Sequence, residues 1–182
     1  MDSVLLISPD FVRRNSEVDL NVAEKHIVPA IVAAQNMQLE PVIGKCLLDA
    51  LKNMIQEKTL NDNPSYKNLL EEYIQPFLVY ATLEKMTIPL AFKTSNFSSA
   101  TRTDDEKMSA SDFDTVALMR HYWENERNFY KYELQKYLRQ SQSLFPELAC
   151  CDKNLWSSAD SGIYLGGIRG KIVPRDYCKC KK

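Results

Sequence analysis

The chain has 182 residues, 45% of them apolar and 26% charged, and a formal net charge of -1. These are ordinary globular values for a length that buries roughly 70% of the unfolded chain's surface, so a single core suffices. The near-zero total excludes a global electrostatic pull toward nucleic acid.

The charge is unevenly placed. Residues 169–182 carry Arg169, Lys171, Arg175, Lys179, Lys181 and Lys182 against Asp176, so this tail is at +5 and the remainder at -6. The apolar run Val4 to Ile7 is too short for a secretory segment and no stretch approaches a membrane span, which points to a protein made and kept in the cytosol until assembly. Five cysteines, Cys46, Cys150, Cys151, Cys178 and Cys180, cannot all pair within one chain and fit reduced thiols.

Met1 to Ser16 reads as an extended or partly helical lead-in with Ser8-Pro9-Asp10 as a turn. Asn21 caps a first helix, with Glu24 as its capping-box partner, and Ala23, Ile27, Ala30, Ile31 and Ala34 give one buried stripe reaching about Met37. Pro29 kinks this helix or fixes its first turns. Leu39-Glu40-Pro41-Val42-Ile43-Gly44 forms a tight corner, after which Cys46, Leu47, Ala50, Leu51 and Met54 stripe a second helix.

Asn63-Pro64 starts a third helix as cap and first residue; its face is Leu69, Leu70, Tyr73, Phe77, Tyr80, Ala81 and Leu83, interrupted at Pro76 and closed at Pro89. Residues 93–114 are a polar excursion, a loop or hairpin long enough for a binding role. The fourth helix spans about Ser111 to Ser141. It carries Val116, Met119, Trp123, Tyr130, Leu134 and Tyr137 on one face, with Tyr122 and Phe129 beside it. A rod of about 45 Å outruns a compact core of this size, so part of it is expected to pack on a neighbour. Trp123, Tyr130 and Tyr137 are the candidates for core or subunit packing. Four of the five glycines follow residue 160, which marks 149–182 as an extended arm, with a short strand at Ile163-Tyr164-Leu165. The expected organisation is a mainly helical four-helix domain, 1–148, and a C-terminal arm.

The chemical motifs are weak. Gly166-Gly167-Ile168-Arg169-Gly170-Lys171 tempts a phosphate-loop reading, but its spacing is one residue short and Ile172 stands where Ser or Thr must meet the metal. Cys150-Cys151 and Cys178-x-Cys180 are spaced poorly for a zinc tetrahedron. His26 and His121 sit in no nucleophile arrangement, and Asp104-Asp105-Glu106 lacks the ligand spacing of a calcium loop. Asn96-Phe97-Ser98 matches a glycosylation acceptor, which means nothing without secretion. The aromatic face of the fourth helix could stack bases, but its flanks, Glu124, Glu126, Arg127, Lys131, Glu133 and Lys136, are mixed in sign, which favours a core or protein interface. No enzyme activity, cofactor or metal is expected.

Three segments together resemble the head–tail connector (adaptor, or head-completion ring) proteins of tailed bacteriophages, in particular ring proteins of phages infecting Bacteroidetes, including crAss-like phages. They are Ile27 to Leu51, with Gln35 before the corner; Tyr73-Ile74-Gln75-Pro76-Phe77-Leu78-Val79-Tyr80-Ala81 running on to Ile88-Pro89-Leu90; and Tyr137-Leu138-Arg139-Gln140 followed by Phe145-Pro146. The resemblance covers residues 20–147. It implies a structural virion protein at the head–tail junction, a ring that is commonly dodecameric, sits beneath the portal protein, extends the DNA channel and meets tail or further ring proteins. A negative body suits such a wall, past which the genome slides without specific binding. The arm, with Gly162, Tyr164, Leu165, Arg169, Lys171, Arg175 and Lys179, is then the docking element for portal or neighbouring subunit, ordering on assembly. The competing reading is a helical nucleic-acid-binding regulator whose basic arm contacts phosphate.

Overall fold

The computed structural model describes residues 4–17, 22–94, 99–101 and 113–150. It is mainly helical. The elements in order are α1 (Pro9–Arg14), α2 (Glu24–Ala34), a π turn (Gln35–Leu39), α3 (Glu40–Ile43), α4 (Lys45–Gln56), a 3-10 turn (Leu60–Asp62) and α5 (Pro64–Asn68). A second π turn (Leu69–Ile74), α6 (Gln75–Ala91), β1 (Phe92–Thr94), β2 (Ser99–Thr101), α7 (Phe113–Gln140), a 3-10 turn (Gln142–Leu144) and α8 (Glu147–Cys150) follow.

The centre of the molecule is α6. Phe77, Leu78, Val79, Ala81, Thr82, Leu83, Glu84 and Met86 are all buried, so this helix is covered around most of its circumference rather than along one stripe. It packs against α2 on one side and α7 on another. Ile27, Ala30, Ile31 and Ala34 of α2 face it, as their spacing predicts, whereas Ala23 lies exposed just ahead of the helix. The N-cap position of α2 is Ala23, which makes no side-chain cap bond, and Asn21 lies outside the described residues. At the lead-in, Ser8 is a helix cap rather than part of a free turn. Its Oγ accepts from the Phe11 N–H, and Pro9 follows at the first helical position, where its missing donor has no consequence.

Pro41, expected within the corner, and Pro76, expected to interrupt its helix, both leave the chain helical. Pro41 and Pro76 each come two residues after a π turn, and in each turn the closing N–H reaches five residues back, Glu40 to Gln35 and Gln75 to Leu70. A proline in an α-helix removes a donor and presses its ring on the carbonyl four residues earlier. The wider π turn relieves both faults, so the chain stays helical through 24–43 and through 64–91. The bend between the first two helical segments therefore falls at Gly44, not at Pro41. With φ 82° and ψ 153°, Gly44 occupies a region that essentially only glycine enters. Pro89 likewise lies inside α6, which ends at Ala91. Asn63-Pro64 does start a helix, but the Asn63 side chain donates back to the Thr59 carbonyl rather than capping forward.

The excursion after α6 begins as an antiparallel hairpin, Phe92 opposite Thr101 and Thr94 opposite Ser99. α8 closes the opposite end by packing on α4. Phe145, fully buried, seats its ring edge-on against Tyr66 at 5.2 Å and beside Tyr137 at 6.2 Å.

Candidate functional site

The longest element, α7, has 28 residues and so runs about 42 Å. Its inner face is set by Val116, Trp123, Leu134 and Leu138, all buried. Trp123, Tyr130 and Tyr137 all join the seam with the preceding helical segment. Tyr137 stacks on Tyr73 at 4.1 Å between ring centres, and Tyr130 stacks on Tyr80 at 5.2 Å, with Trp123 tilted against the same Tyr80 at 6.2 Å. These rings hold the two helical segments of the one chain together. Burial, ahead of the neighbouring Tyr130, Glu126 and Tyr122, pushes the Tyr80 hydroxyl above its ordinary pKa, as a phenol enclosed in this seam requires.

Polar groups lock the same seam. Glu84 of α6, 6% exposed, accepts from the Arg127 guanidinium of α7 and, at 3.0 Å, from the Gln38 amide of the first π turn. Gln35, one turn earlier and fully buried, clasps the N-terminal segment. Its Oε1 accepts the Leu6 N–H at 2.8 Å and its Nε2 donates to the Val4 carbonyl at 3.1 Å. The π turn thus points one glutamine at the lead-in and another at the central ion pair. Gln35 belongs to the segment carrying the connector resemblance, yet its anchoring role is visible only as a polar residue continuing an apolar stripe.

The outer face of α7 is different. Leu118, Tyr122, Phe129 and Tyr132 are exposed, and with Asn125 and Lys136 they fall at alternating steps of four and three along the helix. That spacing makes a straight apolar seam on the side away from α6. Elsewhere among the described residues, large exposed apolar side chains are scattered singly, as at Met37, Ile88 and Leu144. Phe113 and Met119 extend the exposed surface at the start of α7. An open apolar groove of about 340 Å³ lies between this end of α7 and the end of α6, lined by Val22, Leu83, Met86, Leu90, Met119 and Trp123 among others.

No group of three or more metal-ligating side chains gathers among the described residues, and no helix there is long and apolar enough to cross a membrane. His121 is exposed and lies 3.6 Å from Glu124. The arm residues Gly162, Tyr164, Leu165, Arg169, Lys171, Arg175 and Lys179 lie outside the described residues. So do the Asp104 cluster, the Gly166 to Lys171 motif, Asn96, and the side chains of the cysteines other than Cys46.

A family profile matches residues 39–158. The chain belongs to the DUF6712 family. This is a family of unknown function, and its match opens at the end of the first π turn and takes in the whole of α7. No curated protein and no solved structure matches the chain. The DUF6712 region therefore contains both the stacked seam and the exposed stripe, while α1, α2 and the basic end lie outside it.

Proposed function

We propose that this DUF6712 protein is a non-enzymatic structural component of a phage virion, a subunit of a ring between portal and tail that extends the DNA channel. The observation that carries this reading is the second apolar face of α7. A helix that buries one side in its own subunit and offers an aligned aromatic stripe on the other is built to be covered by protein. The order of the helical segments and their prolines, which resembles phage connectors, supplies the kind of assembly. The negative body suits a channel wall that does not hold DNA, and the basic arm suits fastening to an acidic partner.

Electron microscopy of the purified protein, alone and mixed with its portal protein, tests the proposal. Rings that cap the portal are the expected result. A protein that stays apart from portal and instead binds duplex DNA with a steep loss of affinity on added salt would refute it in favour of a regulator. Truncation after Leu148 is expected to leave a folded domain that no longer joins portal. Retained joining would remove the arm from the account.

A further inference from the structure

We infer that the outer stripe of α7 pairs with the same stripe of a second copy, in parallel, as a short two-helix coiled coil centred on Asn125. The inference rests on the reading of α7 as an assembly surface and names its occupant.

Three observations select a second copy. The first is spacing: Leu118, Tyr122, Asn125, Phe129, Tyr132 and Lys136 occupy successive core positions of a heptad repeat, a pattern that needs a helix with a matching seam. Among the described residues no other exposed face has that length, so the matching helix is another α7. The second is area. The four apolar members are 70%, 51%, 59% and 61% exposed. At roughly 200 Å² for each bare side chain, they present about 480 Å² of apolar surface per copy. Two copies then bury about 1,000 Å² of apolar surface, and since interfaces are about 57% apolar the whole contact is roughly 1,700 Å², the size of a stable complex.

The third is charge, which sets the direction. The residues flanking the stripe are Glu126 and Glu133 on one side and His121, Asn128 and Gln135 on the other. In a parallel pair His121 faces the other copy's Glu126 position and Asn128 its Glu133 position, which offers hydrogen-bond partners. An antiparallel pair sets Glu126 against itself, and like charges repel. The parallel arrangement also stacks Asn125 on its counterpart, whereas the antiparallel one sets it against Phe129. At the end of the seam a parallel pair brings Lys136 level with its counterpart, a like-charge contact that Glu133 of the same chain, 3.4 Å from the amine, offsets. A parallel pair points both subunits the same way. It can therefore serve as one of the two contacts in a ring of pairs around a polar axis, the second contact coming from another surface.

The test uses the full chain. Leu118→Cys under mild oxidation is expected to give a cross-linked dimer of twice the 20.9 kDa chain mass, beyond the wild-type background. An antiparallel pair that sets Glu126 against itself would put position 118 against 136, about 27 Å further along, and would cross-link only a mixture of Leu118→Cys and Lys136→Cys proteins. In sedimentation equilibrium, Leu118→Glu/Phe129→Glu is expected to weaken self-association by about 100-fold or more, since it puts carboxylates at two core positions of the seam. Both side chains are exposed, so circular dichroism should remain that of the wild type. A monomeric wild type, self-association untouched by the double substitution, or cross-linking in the 118–136 mixture alone would overturn the inference. A ring that survives the double substitution sinks the pairing but not the connector reading, whereas pairs that never form rings with portal sink the connector reading but not the pairing.

Discussion

Replacing Arg127 with Met isolates the polar lock between the two longest helices. Met keeps most of the unbranched stem that packs in the seam and removes only the cation. Glu84 is then left 6% exposed with a single remaining donor, the Gln38 amide at 3.0 Å. Removing one member of a buried ion pair typically costs 3–5 kcal/mol, because the other charge stays desolvated without compensation. Arg127 is 15% exposed at its side chain and also lies 3.7 Å from the half-exposed Glu124, so its loss belongs at the lower end, about 3 kcal/mol. For a domain of this size that lowers the thermal midpoint by about 6–12 °C. Urea unfolding followed by circular dichroism measures the loss directly. The Glu84→Gln/Arg127→Met double variant removes the stranded charge and is expected to recover about 2 kcal/mol of it. A loss below about 1 kcal/mol in Arg127→Met, or a double variant no more stable than the single one, would refute the claim that the pair is a desolvated unit.

Other consequences are as direct. Gln35→Leu leaves the Leu6 N–H and the Val4 carbonyl without their partner; a loss of about 1–3 kcal/mol is expected, with faster proteolysis at the N-terminal segment, read by limited digestion. Gly44→Ala forces a Cβ into the positive-φ bend and is expected to cost about 1–3 kcal/mol in urea unfolding, whereas Pro41→Ala, in a turn already relaxed around its proline, is expected to cost less. Tyr66 donates to both Glu147 oxygens at 2.9 and 2.8 Å, and burial, followed by that hydrogen bond and the Glu147 charge, raises its pKa. The unfolded chain then loses this proton first as pH rises. The stabilisation is full below the ordinary tyrosine pKa of about 10 and declines above it. Tyr66→Phe is therefore expected to flatten the fall in thermal midpoint above that pH while lowering the midpoint at neutral pH.

The mainly helical class, the two stripes before residue 60 and the aromatic face of α7 were legible because each buries side chains at helical spacing, and spacing survives in a linear string. Leu134, Trp123 and Val116 lie inside as their period predicts. The prolines misled because their effect depends on the turn before them. Nothing in Gln35 to Leu39 or Leu69 to Ile74 announces five-residue hydrogen bonding, which arises when the helix must carry a proline without breaking. The central helix blurred for another reason: α6 is packed on two sides by α2 and α7, so apolar residues surround it and its period fades. On α7, two apolar faces share one helix. Tyr122 and Phe129 look like an untidy margin of the inner stripe, and only the positions of Trp123 and Tyr130 against Tyr80 reveal them as the start of a second one.

Under the ring proposal the two contacts run on different physics, and ionic strength separates them. The α7 stripe is apolar across its centre, and its flanking polar groups are mostly uncharged or hydrogen-bonding, so added salt leaves pairing nearly unchanged and sulfate strengthens it. The arm carries a net +5 within 14 residues, and its attraction to an acidic partner is screened as the Debye length shrinks from about 10 Å at 0.1 M to about 3 Å at 1 M. Raising sodium chloride from 0.1 to 1 M is therefore expected to release the protein from portal while leaving it self-associated, as read by sedimentation velocity on the mixture. Loss of self-association before loss of portal binding would reverse the assignment, placing the electrostatic contact between copies of this chain and the apolar one against the portal.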